Sequence, residues 1–254
     1  MKHTRVSDSN NTGRRQFLGW AAASTGVLFV SNSVRAESVF TEQMIEGPLY
    51  PDKMPLDTDN DLLLINDNRL LSAGELTYLS GKVYSKSGLP VRNAFVEIWQ
   101  TDANGNYIHS EGAISEKARD ANFQGYGRFL TDNEGRYFFR TIKPVPYTQH
   151  GIYRTPHIHV AVSQYGKRIF TTQMVINGHP DNTSDLLLKQ IQDPAALKTL
   201  MVDFKPLSDS RKGQFTATFD IQLGITVEEM DDGSLRGLGK PLGMTGLQAP
   251  KWGE

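Results

Sequence analysis

The sequence predicts a mainly β fold, a β-sandwich of mixed-topology sheets with long loops and short helices. Three observations carry that expectation. Short apolar runs follow one another with turn residues between them, and the 23 glycines and 12 prolines fall mostly in those gaps. The last such run alternates cleanly, with Phe215, Ala217, Phe219, Ile221 and Leu223 on one face, the pattern of a half-buried strand. No repeat at solenoid spacing is visible. Many short strands with turns between them argue a sandwich.

The amino-terminal segment, residues 1–36, reads as a leader outside the fold. Lys2, His3 and Arg5 precede Arg14-Arg15-Gln16-Phe17-Leu18, and an apolar run follows from Phe17 to Val30. Val34-Arg35-Ala36 supplies small residues for cleavage. This is the pattern of a twin-arginine export signal. The run is short of the ~20 residues that a spanning helix needs, so no membrane anchor is expected. The expected location is the periplasm or the exterior. Residues 37–225 are expected to form one sandwich domain with a single core.

Glu46-Gly47-Pro48-Leu49-Tyr50-Pro51 is an extended, proline-bounded segment. Asp57 to Asp61 is acidic, and Leu62 to Ile65 is a short apolar run expected to pack on the body. Leu76 to Ser85 reads as the first strand. Ala94 to Gln100 reads as the second, buried on both faces. Asp102 to Gly105 is a turn that delivers Tyr107. Residues 109–122 are polar and irregular, and more suited to covering a site than to crossing a core. Gly127–Thr131 and Arg136–Ile142 flank Asp132-Asn133-Glu134-Gly135 and read as a hairpin. A short loop separates Tyr147 from Arg154. His157–Ser163 and Lys167–Ile176 read as a second hairpin around Tyr165-Gly166. Two short helical stretches fall in 183–202, the later one opening at Asp193-Pro194, where Asp caps and Pro suits the first turn. Residues 226–254 form a Gly-rich tail without period, expected to be loose from Asp231 onward.

Composition narrows the chemistry. A formal net charge of −1 gives no field for nucleic acid or an anionic membrane. The absence of cysteine excludes disulfides, thiolate metal sites and a cysteine nucleophile. What remains is Arg154-Thr155-Pro156-His157-Ile158-His159. In a strand, His157 and His159 share one face, an imidazole pair suited to a metal. The pair alone leaves other readings open. His-x-His also occurs in cupins and zinc hydrolases, and either ring could be a hydrogen-bonded core residue. The later His179 lies in a turn, and no acidic ligand is placed for a zinc hydrolase.

The order of surrounding motifs is more specific. Gly88-Leu89-Pro90-Val91, Ala94 to Gln100, Gly105-Asn106-Tyr107, Thr131-Asp132 with Gly135, Tyr137 to Pro144, Tyr147, and Arg154 with His157-Ile158-His159 occur in the sequence. In this order they resemble the intradiol ring-cleavage dioxygenases, most of all the β-type chains of protocatechuate 3,4-dioxygenase, over residues 46–224. The resemblance implies a mononuclear, non-haem Fe(III) held by Tyr107, Tyr147, His157 and His159. Two hard phenolates favour the ferric ion. It implies a catecholic substrate and O2, with Tyr147 as the ligand that leaves and takes a substrate proton. It makes Arg154 catalytic, stabilising negative charge on the ring, and also substrate-binding. It places Gln173 beside the metal pocket as a catalytic residue, with a strand-edge polar residue as the alternative, and Tyr50 is expected at the pocket mouth as a substrate-binding residue. It also implies assembly, either of identical chains or with a partner chain. The 148–153 loop is shorter than in the protocatechuate enzymes and lacks a tryptophan found there. The alternative is an exported prealbumin-like sandwich that binds ligands without catalysis, since Gly-x-Pro-Val and Thr-Asp-x-x-Gly-x-Tyr patterns are shared with such modules.

Overall fold

The computed structural model describes residues 39–65, 70–208 and 213–237. The leader lies outside these residues, as does the tail beyond 237. The strands and helix are β1 (Leu76–Tyr84), β2 (Phe95–Trp99), β3 (Tyr126–Leu130), β4 (Arg136–Ile142), β5 (Tyr147–Gln149), β6 (Ile152–Arg154), β7 (His157–Gln164), β8 (Lys167–Ile176), α1 (Pro194–Lys198), β9 (Met201–Val202), β10 (Lys205–Pro206), β11 (Phe215–Thr218), β12 (Ile221–Gln222), β13 (Glu228–Glu229) and β14 (Leu235–Arg236). None of the described helices is long and apolar enough to cross a membrane.

Two five-stranded sheets make the sandwich. In the first, β1 is central: β4 pairs antiparallel on one side, and β11 and then β12 run parallel on the other. The second has the order β3-β2-β7-β8-β9. Leu79, Val83 and Phe139 of the first sheet meet Val96, Ile98, Ile158, Val160 and Val162 of the second in one buried cluster. Alternation decides this, because each strand sends every second side chain inward. Leu62 and Leu63 pack on the same core, as their run predicts.

Three expectations need correction. β3 and β4 do not form a hairpin. β3 pairs with β2 in one sheet and β4 with β1 in the other, so the 132–135 turn crosses between sheets. The turn is as tight as expected, with the Gly135 N–H donating to Asp132 O at 3.0 Å. β2 is not buried on both faces throughout: Phe95 is exposed near its edge, while Trp99 is fully buried. In the described part of the tail, residues 228–236 are not loose, since β13 and β14 pair as a small antiparallel hairpin, and the expectation for residues 238–254 lies outside the described residues. The closing run Gln214–Leu223 alternates as expected but breaks into β11 and β12 at Phe219-Asp220, where its backbone passes Gly81. The β7–β8 hairpin turns at Tyr165 and Gly166, both at positive φ, as a two-residue primed turn requires. Asp193 caps α1 by accepting from the Ala195 N–H.

Candidate metal centre

The site lies on the outer face of the second sheet, away from the sandwich interior. Ile158, Val160 and Val162 turn into the core, which sends His157, His159 and Ala161 outward. Register then builds a row across three strands. Trp99 of β2 stands opposite His159 of β7, and His159 stands opposite Gln173 of β8. The Trp99 indole stacks on the His159 ring at 4.7 Å between centroids and 9° between planes.

Tyr107 arrives from the turn that follows β2. Asp102 ties that turn by accepting from the N–H groups of Asn104 and Asn106, both at 2.9 Å, and of Asp120 at 2.6 Å. The polar 109–122 excursion packs against this turn, with Asn106 bonded to Ser115 and Lys117. It therefore buttresses Tyr107. Between Tyr147 and Arg154 the chain forms a hairpin where a loop was expected. β5 pairs with β6, with Tyr147 directly opposite Arg154, and His150-Gly151 turn at positive φ. Both functional side chains thus stand at the hairpin's open end, beside the start of β7.

The four expected ligands converge. The Nε2 atoms of His157 and His159 are 3.2 Å apart, and Tyr107 Oη lies 3.5 Å from His157 Nε2. The Tyr107 and Tyr147 rings meet edge to face at 5.4 Å, and the Tyr147 and His157 rings lie tilted at 5.5 Å. His157 Nδ1 lies 2.6 Å from Thr155 O. A carbonyl only accepts, so Nδ1 carries the proton and the Nε2 lone pair faces the centre. Burial, then the charge of Arg154, hold the His157 pKa far below its ordinary value, and burial, with His157 and Arg154, does the same for His159. Both rings are therefore neutral and able to ligate. Burial first, and the neighbouring phenol next, push the Tyr107 pKa well up, and burial raises that of Tyr147 against the pull of Arg154. A bound cation would reverse that preference and draw off the phenolic protons. No group of three or more His, Cys, Asp or Glu residues converges among the described residues. The donor set is two imidazoles and two phenols, which fits a hard trivalent ion.

Arg154 is buried, and a partner that sequence reading missed holds it there. Its Nε donates to Asp185 Oδ2 at 2.9 Å, and one terminal nitrogen donates to Gln173 Oε1 at 2.8 Å. Burial works against both charges. Even so, Arg154 holds the Asp185 carboxyl below the usual range, and Tyr147 and Asp185 keep the guanidinium charged. Asp185 Oδ2 also accepts from the Thr155 N–H at 3.0 Å, and Thr155 O in turn receives His157. A carboxylate in an irregular segment has no spacing signature that could have revealed it. Gln173 is fully buried beside Arg154, no strand-edge residue. Tyr50 sits one layer behind the expected mouth position. Its hydroxyl is drawn to Glu97 Oε1 at 2.9 Å, and its ring edge backs Trp99 at 5.0 Å. A narrow recess leads to the donors past Tyr147, His159, Arg154 and Gln173.

The mainly-β sandwich thus brings two tyrosines, two histidines and a buried arginine together on one sheet face. The chain belongs to the intradiol ring-cleavage dioxygenases, since the Dioxygenase_C (dioxygenase) family model matches residues 45–224. It is 39% identical to the protocatechuate 3,4-dioxygenase beta chain of Burkholderia cepacia over 141 residues, 53% of this chain and 58% of that one. It is 30% identical to a catechol 1,2-dioxygenase of Acinetobacter baylyi over 218 residues, 76% of this chain and 65% of that one. The chain thus spans just over half to about two thirds of the length of these curated relatives. Among solved structures, the dioxygenase domain of a carbohydrate-binding fusion protein from Streptomyces sp. SirexAA-E superposes with a TM-score of 0.52 at 26% identity, covering 73% of this chain and 98% of that one.

Proposed function

We propose that the chain is an Fe(III)-dependent intradiol dioxygenase. It would break the bond between the two hydroxylated carbons of a catechol and add one atom of O2 to each of them, giving a cis,cis-muconate-type dicarboxylic acid. The observation that carries this reading is the convergence of Tyr107, Tyr147, His157 and His159 behind one recess, with Arg154 at its side. A sandwich that only binds ligands has no reason to assemble these four donors.

Iron, when bound, would supply the Lewis acid that makes the diol acidic, so that the deprotonated ring can react with O2. The protein does the rest. His157 is oriented by Thr155 O, and His159 by its stack on Trp99. Tyr147, half-buried at the recess, takes one substrate proton at its Oη. Arg154 presents its remaining N–H groups to the oxygen edge of the ring, where negative charge grows. Its bonds to Asp185 and Gln173 fix its plane beforehand, so little reorganisation is needed.

The test is metal content and colour, followed by oxygen uptake. Purified protein should carry about one iron per chain, absorb visible light as a ferric phenolate, and consume one O2 per catechol cleaved. A colourless, iron-free protein that iron salts cannot activate would refute the reading. Export by the twin-arginine route belongs to the same proposal and is supported by Arg14-Arg15 and the apolar run after them. Replacing both arginines with lysine should leave the precursor in the cytoplasm, and unchanged export would count against it.

A further inference from the structure

We infer that the site takes a catechol whose ring carries no negatively charged substituent. The inference rests on the dioxygenase reading and adds the substrate class.

The recess sets the geometry. His159, Tyr147, Arg154 and Gln173 line its inner end. A diol whose oxygens approach the donors must therefore turn the rest of its ring outward. The rest of the lining is Ile45, Gly47, Pro48, Leu49, Leu187 and Gln149. These walls are apolar apart from the neutral amide of Gln149. Leu49, Leu187 and Gln149 are themselves buried, Ile45 and Gly47 are half-buried, and Pro48 is exposed.

The charges around the recess leave no positive surplus. Arg154 is the one cation among its described lining residues, and it is already paired with Asp185. The next guanidinium, Arg168, is shared between Glu46 and Glu97. Two cations thus face three carboxylates. A carboxylate on the ring would meet no cation in the lining beyond Arg154, which is paired with Asp185 and turned to the diol, and the cost of desolvating a lone charge is several kcal/mol. The cost for a neutral ester of the same shape is far smaller. The walls can accept alkyl or halogen substituents, and Gln149 can bond a further hydroxyl.

The test compares three ligands on the iron-loaded full chain: catechol, protocatechuate, and the methyl ester of protocatechuate. Anaerobic titration followed by visible absorption or calorimetry gives Kd, and oxygen uptake gives kcat/KM. Catechol should bind at least about a hundredfold more tightly than protocatechuate, and the ester should stay within about tenfold of catechol. Gln149→Arg, checked for folding by circular dichroism, should narrow the gap between protocatechuate and catechol by about tenfold or more. Protocatechuate binding as well as catechol overturns the inference and leaves the dioxygenase reading intact. Equal rejection of acid and ester also overturns it, because size and not charge would then decide. Failure of all three to bind overturns the dioxygenase reading and the inference with it.

Discussion

Arg154 and Asp185 show why the consequences of a substitution depend on what it leaves behind. Arg154→Ala removes the donor proposed to act on the ring, and it also strands a fully buried carboxylate. Breaking such a pair costs ~3–5 kcal/mol of stability. Loss of a donor aimed at developing charge costs roughly a hundred- to a thousandfold in kcat. The two effects separate in a double variant. Adding Asp185→Asn to Arg154→Ala removes the lone charge and should restore much of the melting temperature without restoring rate. Recovery of both would make Arg154 a structural residue. Arg154→Lys should regain little, because an ammonium cannot span Asp185 and Gln173 as the planar fork does. At the four proposed ligands the expectation is simpler. His157→Ala or His159→Ala should lose most of the iron, and Tyr107→Phe or Tyr147→Phe should shift or bleach the visible band while the fold persists. An unchanged band in Tyr147→Phe would remove that residue from the ligand set.

The strands carry the site through register, and two of them can be tested directly. β1 is threaded between β4 and the β11–β12 run, and Gly81 is where the backbones crowd. A Cβ there would lie 2.0 Å from Phe219 O. Gly81→Ala must push β12 away and disturb the bond from Tyr137 Oη to Phe219 O, at a cost of ~3 kcal/mol or more. A melting temperature within a degree of wild type would show that the strands part freely. On β2, Glu97 accepts from Tyr50, Tyr126 and Arg168. Burial would raise its pKa, but Tyr126 and Arg168 outweigh it and hold the carboxyl below its ordinary 4.5. A depressed folded value means the stabilisation is present above about pH 4.5 and fades as pH falls through the folded pKa. Wild type should therefore lead Glu97→Gln in melting temperature at pH 7 and lose that lead in acid. A gap that stays constant with pH would contradict the ionised assignment. Register also marks the limits of sequence reading. The shared face of His157 and His159 is legible because the strand period is two, and the β7–β8 hairpin is legible from its apolar runs and its Tyr165-Gly166 turn. β5 and β6 are not, since strands of three residues hold less than two periods. The 132–135 turn misleads because a tight turn has the same residues whether it joins neighbours in one sheet or crosses between two. Asp185 is invisible because its partners Arg154 and Thr155 lie 31 and 30 residues back.

At the scale of the whole domain, one strap joins both sheets and then becomes a wall of the recess. The Thr41 N–H donates to Gln222 O at 2.9 Å, and Thr41 Oγ1 accepts from the Gln222 N–H at 2.9 Å, on β12 of the first sheet. A few residues later the Met44 N–H donates to Thr171 O at 3.0 Å, and Thr172 Oγ1 donates to Glu42 O at 2.6 Å, on β8 of the second. The strap continues as Ile45 to Leu49 along the recess. Its hold is a few hydrogen bonds at the margin of the core, each worth about 1 kcal/mol net, so it should open without global unfolding. In native-state hydrogen exchange, the Met44 amide should exchange faster than the central amides of β7. Thr41→Val with Thr172→Val removes two of the bonds at nearly constant volume. That should weaken Met44 protection by roughly thirtyfold, the equivalent of about 2 kcal/mol. Protection at Val160 and Val162 should hardly change. Because the strap forms walls of the proposed substrate recess and carries none of the proposed reacting groups, KM for catechol should rise several-fold while kcat stays within about twofold. If Met44 and the β7 amides lose protection together, the strap and the sandwich open as one unit, and the recess wall has no motion of its own.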